Sequence, residues 1–320
     1  MFFQETIWRC GGDFIKIALI DIDLNRKKKQ IFPNLVLMKL SAWHKKNGDE
    51  VTLLSANEYI ENDLFNNFDK AYGACVFTKN TSVAKRLKRI GVIVGGSGTD
   101  ELIVLNDEIE HIYPDYDLYG IKDTAYGFLT RGCPRHCPFC IVGDKEGTSS
   151  KKVADLSEWW SGQKNIKLLD PNILACENHV ELLNQLINSH AWIDITQGMD
   201  ARLLSDNNID LISGLKLKTI HFAWDNPRDK IIPAKLKFFK KHTKNLKTDY
   251  VKHKCYVLTN YWSTFEEDLY RVNWLRANNF DPYVMIFDKE HASKKIRHLQ
   301  RWCNNKIIFR SETDFYKYRP

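Results

Sequence analysis

The chain has 320 residues, of which 43% are hydrophobic and 12% aromatic, and it carries a formal net charge of +7. Its 16 glycines and 9 prolines are too few for a fibrous or a disordered protein, while the length suffices for two globular domains. No apolar stretch has the length of a transmembrane helix, and the first residues do not resemble a signal peptide. We therefore expect a cytoplasmic protein that does not enter the membrane.

The first part of the chain alternates between short apolar runs and amphipathic segments, which is typical of a parallel β-sheet covered by helices. Residues 16–23 predict a strand, and residues 34–48 predict a helix with Asn34 as its N-cap and Gly48 as its stop. Three more strands are predicted at 50–56, 73–79 and 91–96. We therefore predict that residues 1–120 form a small doubly wound α/β domain with a parallel sheet.

The second part of the chain repeats this alternation. Its strands are predicted at 126–130, 165–170, 192–197, 218–225, 254–260 and 282–288, with helical patterns between them. Six βα units are too few for the usual closed eightfold barrel, so we predict an open partial barrel over residues 121–290, with its site at the carboxyl ends of the strands. Residues 291–320 are expected to form a helical extension.

Three cysteines crowd into the loop that follows the first of these strands. Cys133, Cys137 and Cys140 are spaced CxxxCxxC, and such a group in a reducing compartment indicates metal rather than disulfides. Cysteine thiolates are the ligands of iron–sulfur clusters. Three ligands on a [4Fe-4S] cluster leave the fourth iron with an open site, and an open site distinguishes a reactive metal centre from a structural one.

A structural zinc site is the alternative for the same cysteines. His136 or a distant cysteine would then complete a tetrahedron. Zinc sites usually pair two short-spaced elements, and we expect no second CxxC or CxxH downstream, which favours the cluster. The other cysteines are scattered, so no second cluster is predicted; they are Cys10, Cys75, Cys176, Cys255 and Cys303. Cys75 and Cys255 lie in apolar strand patterns and are expected to be buried.

A CxxxCxxC motif with an aromatic residue before its last cysteine, here Phe139, resembles the signature of the radical-SAM superfamily, over about residues 124–290. The resemblance implies that the cysteines hold a [4Fe-4S] cluster and that the open iron binds S-adenosylmethionine beside Phe139. Reductive cleavage would then give a 5′-deoxyadenosyl radical that abstracts hydrogen from an unidentified substrate. It also implies an external electron donor of the flavodoxin or ferredoxin type.

The resemblance also points to the end of the second strand. The superfamily usually presents a Gly-Gly-Glu-like segment there, which contacts the methionine amino group, and this chain has Asp170 and Asn172 in LLDPN. Both are therefore candidates for that contact. Neither glycine is present, however, and an Asp-Pro-Asn turn that satisfies its own backbone is the alternative interpretation.

Polar residues also follow the third and fourth strands. Gln197, Asp200 and Arg202 come after the third, where a carboxylate can accept ribose hydroxyls and an arginine can pair with a carboxylate. Asp200 is equally suited to cap the segment that follows it. Asp225 ends the fourth strand directly after an apolar run. A polar residue at this edge of such a sheet is more often functional than one at the opposite edge.

The amino-terminal domain resembles the one that precedes the barrel in cobalamin-binding radical-SAM proteins. In that family a DxHxxG segment supplies a histidine to cobalt, whereas this chain reads DIDLNRKKKQ after its first strand, with no histidine. Cobalamin is therefore not favoured, although a cobalamin-dependent radical-SAM methylase stays an alternative. We expect a degenerate domain that walls the active site or recognises substrate.

The positive charge is concentrated in one region, because nine lysines lie between Lys230 and Lys254. On a helix they form either a solvated face, which we favour, or a surface that attracts phosphates. A zinc-stabilised nucleic-acid-binding module is therefore the alternative from outside enzymology.

Overall fold

The computed structural model describes residues 14–26, 32–61, 67–100, 103–243 and 252–319. The chain forms two compact units: residues 1–125 with 157–161, and residues 126–156 with 162–320. The sequence gives no sign that 157–161 pack with the first unit. Among the described residues, no helix is both long and apolar enough to span a membrane. The predicted α/β class and the parallel sheets are confirmed.

The first unit is built on a four-stranded parallel sheet with the order β2-β1-β3-β4. The strands are β1 (Lys16–Asp21), β2 (Glu50–Ser55), β3 (Lys70–Ala74) and β4 (Ile93–Gly95). Its helices are α1 (Leu35–Lys46), α2 (Ala56–Glu61), α3 (Thr81–Arg89) and α4 (Asp107–Glu110). Asn34 accepts a hydrogen bond from the backbone N–H of Leu37, which confirms it as the N-cap of α1.

Helices cover both faces of this sheet, because successive residues of β1 point to opposite sides. Ala18 and Ile20 belong to a core that includes Leu87 of α3. Ile17 and Leu19 belong to a second core, with Leu37 of α1. All six side chains are fully buried. The near-continuous apolar run of β1 is the expected signature of a strand buried on both faces.

The predicted strand at 73–79 is misplaced, since β3 ends at Ala74. The chain leaves the sheet there because the Asp23 carboxylate accepts from the backbone N–H of Val76, at 2.6 Å. Val76 and Phe77 are exposed although their side chains are apolar. An apolar run alone therefore predicted five strand residues too many at this end, residues 75–79, and missed the start at Lys70.

The second unit contains a six-stranded parallel sheet whose order follows the chain, β12-β11-β10-β9-β8-β5. Its strands are β5 (Thr124–Gly127), β8 (Asn165–Leu168), β9 (Trp192–Ile195), β10 (Leu217–Ala223), β11 (His253–Thr259) and β12 (Asp281–Ile286). A separate antiparallel ribbon joins β6 (Thr130–Arg131) to β7 (Lys151–Lys152). Each of the six predicted strands of this domain therefore has a counterpart in the sheet.

Helices follow the strands of the second unit. They are α5 (Val142–Glu146), α6 (His179–Asn188), α7 (Asp206–Gly214), α8 (Ile231–His242), α9 (Phe265–Ala277), α10 (Lys294–Asn304) and α11 (Lys306–Ser311). A capping box starts α9, in which Thr264 and Glu267 each accept from the other's backbone N–H. The last two helices pack through Trp302 and Phe309 against a core that includes Val284 of β12.

Candidate functional site

The three cysteines lie on a loop that the β6–β7 ribbon closes at its base. The backbone N–H of Cys133 donates to the carbonyl of Gly147 at 3.1 Å, across the neck of the loop. Gly132 has a φ of +83°, and a Cβ at this position would come within 2.2 Å of the Ser149 carbonyl oxygen. Only glycine suits such a conformation and such a close approach. The residue before the first cysteine therefore sets the path of the loop.

The loop turns tightly between its cysteines. His136 adopts a left-handed conformation with a φ of +46°, and the N–H of Cys140 donates to the carbonyl of Cys137 at 2.9 Å. Cys133 and Cys137 are half-buried, while Cys140 is exposed. All three cysteines are free thiols. The turn therefore holds Cys137 and Cys140 in one hydrogen-bonded bend of the loop.

The thiols are near enough to influence one another electrostatically. Burial raises the pKa of the Cys137 thiol; the charges of Asp225, Cys140 and Cys133 add to the rise, while Arg202 opposes it. Burial likewise raises the pKa of Cys140, again with contributions from Cys133 and Asp225. The charge of Arg202 near Cys137 does not offset burial and the neighbouring negative charges, and a bound metal ion would favour the thiolate forms.

Asp170 and Asn172 lie beside this loop at the end of β8. Asp170 is buried, and its carboxylate accepts from the N–H of Leu129 at 2.9 Å and from the N–H and hydroxyl of Thr130 at 2.7 and 2.6 Å. Both carboxylate oxygens are thus bonded to the strand that leads into the cysteine loop. Burial raises the pKa of Asp170 to about 7. In the described structure Asp170 positions the loop, and its contact with methionine stays a prediction.

Asn172 contacts the first cysteine directly. Its side-chain N–H donates to the Cys133 sulfur at 3.5 Å, and its Oδ1 is buried without a hydrogen-bond partner among the described residues. The whole residue is only 2% exposed. A buried amide oxygen without a donor is costly, so this atom marks a place where a bound group with an N–H would be stabilised.

Asp200 and Arg202 form an ion pair at the end of β9, joined by Arg135 of the cysteine loop. Asp200 caps the turn at 201–203 by accepting from the N–H of Arg202, and the Arg202 and Arg135 guanidinium groups donate to it at 2.7 and 2.5 Å. Burial acts to raise the pKa of Asp200, but the two arginines outweigh it and hold the pKa below its ordinary value. Gln197 is exposed and lies outside this cluster.

Asp225 lies at the end of β10 and faces the cysteines. Burial raises its pKa to about 6, against the charge of Arg271, a hydrogen bond from the N–H of Leu258 and the charge of Arg202. Arg271 of α9 is fully buried, and it donates to the backbone carbonyls of Asp225 and Leu258, each at 2.8 Å. It therefore ties the ends of β10 and β11 to one helix.

Phe139, the aromatic residue of the motif, packs against the segment that follows β11. Its ring lies 5.6 Å from the ring of Tyr261 and 5.4 Å from that of Trp262, both edge to face. Phe287, after β12, contacts Tyr261 at 4.6 Å. The carboxyl ends of the strands thus bring together the cysteine loop, a set of polar side chains and an aromatic wall.

No three or more His, Cys, Asp or Glu side chains, within the part of the chain that the structure describes, are grouped to hold a metal ion. A cubane cluster takes each thiolate on a different iron, so its ligands stand farther apart than those of a single ion. No known family model matches the chain, and no curated protein is significantly similar to it. The site is therefore described by its own geometry.

Several residues of this site were missed at the level of sequence. Arg135 lies inside the cysteine motif, and Arg271 is a charged residue on the apolar face of a predicted helix, which is a detectable signal. Cys176 and His179 form a CxxH spacing that the sequence analysis overlooked. Cys176 is buried, and the ring of His179 is hydrogen-bonded to the Cys176 carbonyl at 2.8 Å. That pair therefore belongs to a helix start.

Hydrogen bonds connect the segments that follow β1 and β3, the two central strands of the first unit, at the carboxyl edge of its sheet. Sheets of this order bind ligands where the order reverses, between β1 and β3. There Asp23 accepts from the N–H of Val76 and from the Asn80 side chain at 2.7 Å. Tyr119 donates to Asp21 at 2.8 Å. Internal hydrogen bonds therefore bridge this edge in the described structure.

The lysine-rich helix is used in part for internal contacts. On α8, Lys235 donates to the Leu204 carbonyl at 2.5 Å, and Lys240 contacts His253 and lies over the Phe280 ring at 4.6 Å. Burial lowers the pKa of Lys240 to about 8. The lysines between 244 and 251 lie outside the described residues.

Cys75 and Cys255 are fully buried, as predicted.

Proposed function

We propose that this protein is a radical-SAM enzyme that holds a [4Fe-4S] cluster on Cys133, Cys137 and Cys140. The observation that carries the proposal is the convergence of the loop and four strand ends at one edge. A structural cysteine motif needs no such surroundings, whereas a reactive centre needs polar groups around its open position. Such a cluster, when bound with S-adenosylmethionine, supplies the electron for reductive cleavage to a radical.

The strand order supports a partial barrel as the framework of this enzyme. Each crossover in the six-stranded sheet moves to the next position in the same direction. Right-handed crossovers in one direction place all their helices on one face, so the sheet curls with its other face inside. The loop after β5 then lies at the carboxyl rim, where enzymes of this architecture place their sites.

The surrounding residues have distinct roles in this proposal. Asn172 orients Cys133, and its unsatisfied Oδ1 accepts an N–H of the bound nucleotide or of its amino group. Arg135 and Arg202 are held by Asp200, and one of them can turn toward a carboxylate without losing the whole ion pair. Asp225 supplies a carboxylate beside the thiols. Phe139, with its aromatic neighbours, shields the centre from water.

The proposal is tested by reconstituting the protein with iron and sulfide in the absence of air. We expect a brown protein with about four irons per chain, and 5′-deoxyadenosine on addition of dithionite and S-adenosylmethionine. Cys137→Ala is expected to lose both the iron and the product. Cys176→Ala, at a buried cysteine outside the loop, is the matched control and is expected to keep both.

Two outcomes would refute the proposal. Zinc in place of iron in protein purified without air would make the site structural. An intact cluster that yields no 5′-deoxyadenosine would separate the cysteines from S-adenosylmethionine chemistry. A cobalamin absorption spectrum in the purified protein would instead support the methylase alternative. Binding to nucleic acid that weakens steeply with salt, in colourless protein, would support the zinc module.

A further inference from the structure

The six-stranded sheet of the second unit has one apolar face and one polar face. Ile166, Ile193, Ile220 and Val257 are all fully buried, and they represent the apolar face. The opposite face carries polar residues from four neighbouring strands: Lys167, Asp194, Thr219, His221 and Lys254. A parallel sheet with helices on both faces reads as a continuous apolar run, so these polar residues indicate a face that helices do not cover. The four-stranded sheet of the first unit provides the contrast.

Titratable side chains from neighbouring strands meet on the polar face. Lys167 of β8 is paired in register with Asp194 of β9, and His221 of β10 is paired with Lys254 of β11. Side chains of residues paired in register point to the same face of a sheet. His221 Nδ1 lies 3.9 Å from Asp194 Oδ1. This cluster is distinct from the cysteine loop, although both belong to the second unit.

The histidine of the cluster is fixed in its neutral form. Its Nδ1–H donates to the Ile195 carbonyl at 2.7 Å, so it is not available to Asp194. The ring stacks on Tyr256 with centroids 5.1 Å apart and planes 13° from parallel, and Tyr256 donates to the Thr196 carbonyl at 2.8 Å. Burial lowers the pKa of His221 to about 4. The ring is thus held in one orientation and is uncharged near neutral pH.

Asp194 is the residue of this cluster in which one carboxylate oxygen lacks a hydrogen-bond donor in the part of the chain that the structure describes. Its Oδ1 is buried without a hydrogen-bond partner among the described residues, while the side chain as a whole keeps 17% exposure. Burial raises the pKa of Asp194, and the charges of Lys167, Lys254 and Lys218 act against this rise. The lysine charges therefore favour the ionised carboxylate, and a bound donor would supply the hydrogen bond that Oδ1 lacks in the described structure.

We propose that this face binds a small organic anion that carries a hydrogen-bond donor beside its charge. Lys167 and Lys254 attract the anion, and the Asp194 carboxylate accepts from the donor and rejects anions that have none. The neutral His221 and the stacked Tyr256 form the floor. That this anion is the substrate rests on the proposed function, because a radical made at the carboxyl edge would act on a molecule bound over the same sheet.

Inorganic phosphate and sulfate test the proposal in metal-free, full-length protein. Near neutral pH phosphate has an O–H to donate, whereas sulfate has none. We expect phosphate to shift the His221 ring nitrogen resonances saturably, and sulfate to bind about tenfold more weakly. Asp194→Asn should reduce that difference to less than about twofold, because an amide can also donate. The His221→Gln spectrum assigns the resonances.

The lysines are tested with the double substitution Lys167→Met and Lys254→Met. It should raise the phosphate concentration for half-saturation at least about tenfold, while Lys237→Met on the outer helix α8 should leave it unchanged. Circular dichroism confirms that each variant is folded. Equal binding of the two anions, no saturable shift in folded wild-type protein, or binding unaffected by the double substitution would overturn the proposal.

This test separates the binding face from the proposed function. Cys133→Ala should lose iron on reconstitution and still bind phosphate as the wild type does. Phosphate binding in a protein whose intact cluster gives no 5′-deoxyadenosine would refute the radical chemistry alone. The reverse pattern, product without phosphate discrimination, would refute the binding face alone.

Discussion

The most demanding prediction concerns Arg271, which is buried with Asp268 at zero exposure of both side chains. Its guanidinium donates to the Asp268 carboxylate and to the Trp224 carbonyl, each at 2.5 Å, as well as to the carbonyls of Asp225 and Leu258. Arg271→Met removes all four bonds. It leaves the Asp268 carboxylate without its positive partner, although the Ser263 hydroxyl still donates to it, and it removes one donor from each of three carbonyl oxygens.

Breaking a buried ion pair on one side costs about 3–5 kcal/mol, because the remaining charge is uncompensated. The three carbonyls add to this cost, so we expect a loss at the upper end of that range. A domain is stabilised by only about 5–15 kcal/mol in total. Urea denaturation followed by circular dichroism measures the loss, with Asn273→Met on the exposed face of α9 as the control.

A double-mutant cycle tests the reasoning behind this magnitude. Asp268→Leu combined with Arg271→Met removes both charges, so the double variant should be less destabilised than the sum of the two single variants by more than about 1 kcal/mol. A loss of less than about 1 kcal/mol for Arg271→Met would show that the pair is not buried as described. Strict additivity would show that the two charges do not interact.

Three further predictions concern the cysteine loop, the pH dependence of stability and a helix start. Gly132→Ala should abolish iron binding in folded protein, because its Cβ would meet the Ser149 carbonyl; Gly214→Ala, in α7, where φ is not positive and a Cβ would make only ordinary contacts, should retain iron. His221 should contribute a loss on the order of 3 kcal/mol of stability between about pH 6.5 and pH 4, since it binds its proton more readily when unfolded, whereas the raised pKa values of Asp170 and Asp225 act in the opposite direction; the stability of His221→Gln relative to wild type should therefore rise by about that amount over the interval in urea titrations. Thr264→Ala should cost about 1 kcal/mol in the same titrations and Thr264→Ser almost nothing, because only the serine keeps the cap of α9.

The sequence predicted which helices and strands are present better than it predicted where each of them ends. Periodicity and capping residues located β10 and α1 to within a residue or two, because both signals are local. The failure at β3 has a different origin: Asp23, fifty-three positions away from Val76, bonds to the backbone that would otherwise have continued the strand. A contact between residues so far apart leaves no periodic trace in the chain.

The same distinction holds for the candidate site. The cysteine spacing is local and was found at once, as were the polar residues that end strands. The hydrogen bonds of the Asp170 carboxylate were not found from the sequence, because their donors are the backbone N–H groups of Leu129 and Thr130, about forty positions earlier. Both carboxylate oxygens of Asp170 accept from the backbone that leads into the loop, and its contact with the cofactor stays a prediction.

Asp194 and His221 show why an alternating strand should be read for its polar face as well as its apolar one. In a strand covered by helices on one side, the apolar positions account for folding and leave the others unconstrained by the core. Charged residues at partly buried positions on the uncovered face lose part of their hydration, and packing of the apolar core does not offset this free-energy cost. That cost is a physical reason to look for a ligand at Asp194. Asp268 also has one buried oxygen without a hydrogen-bond partner among the described residues, but the guanidinium of Arg271 lies 2.5 Å from its other oxygen.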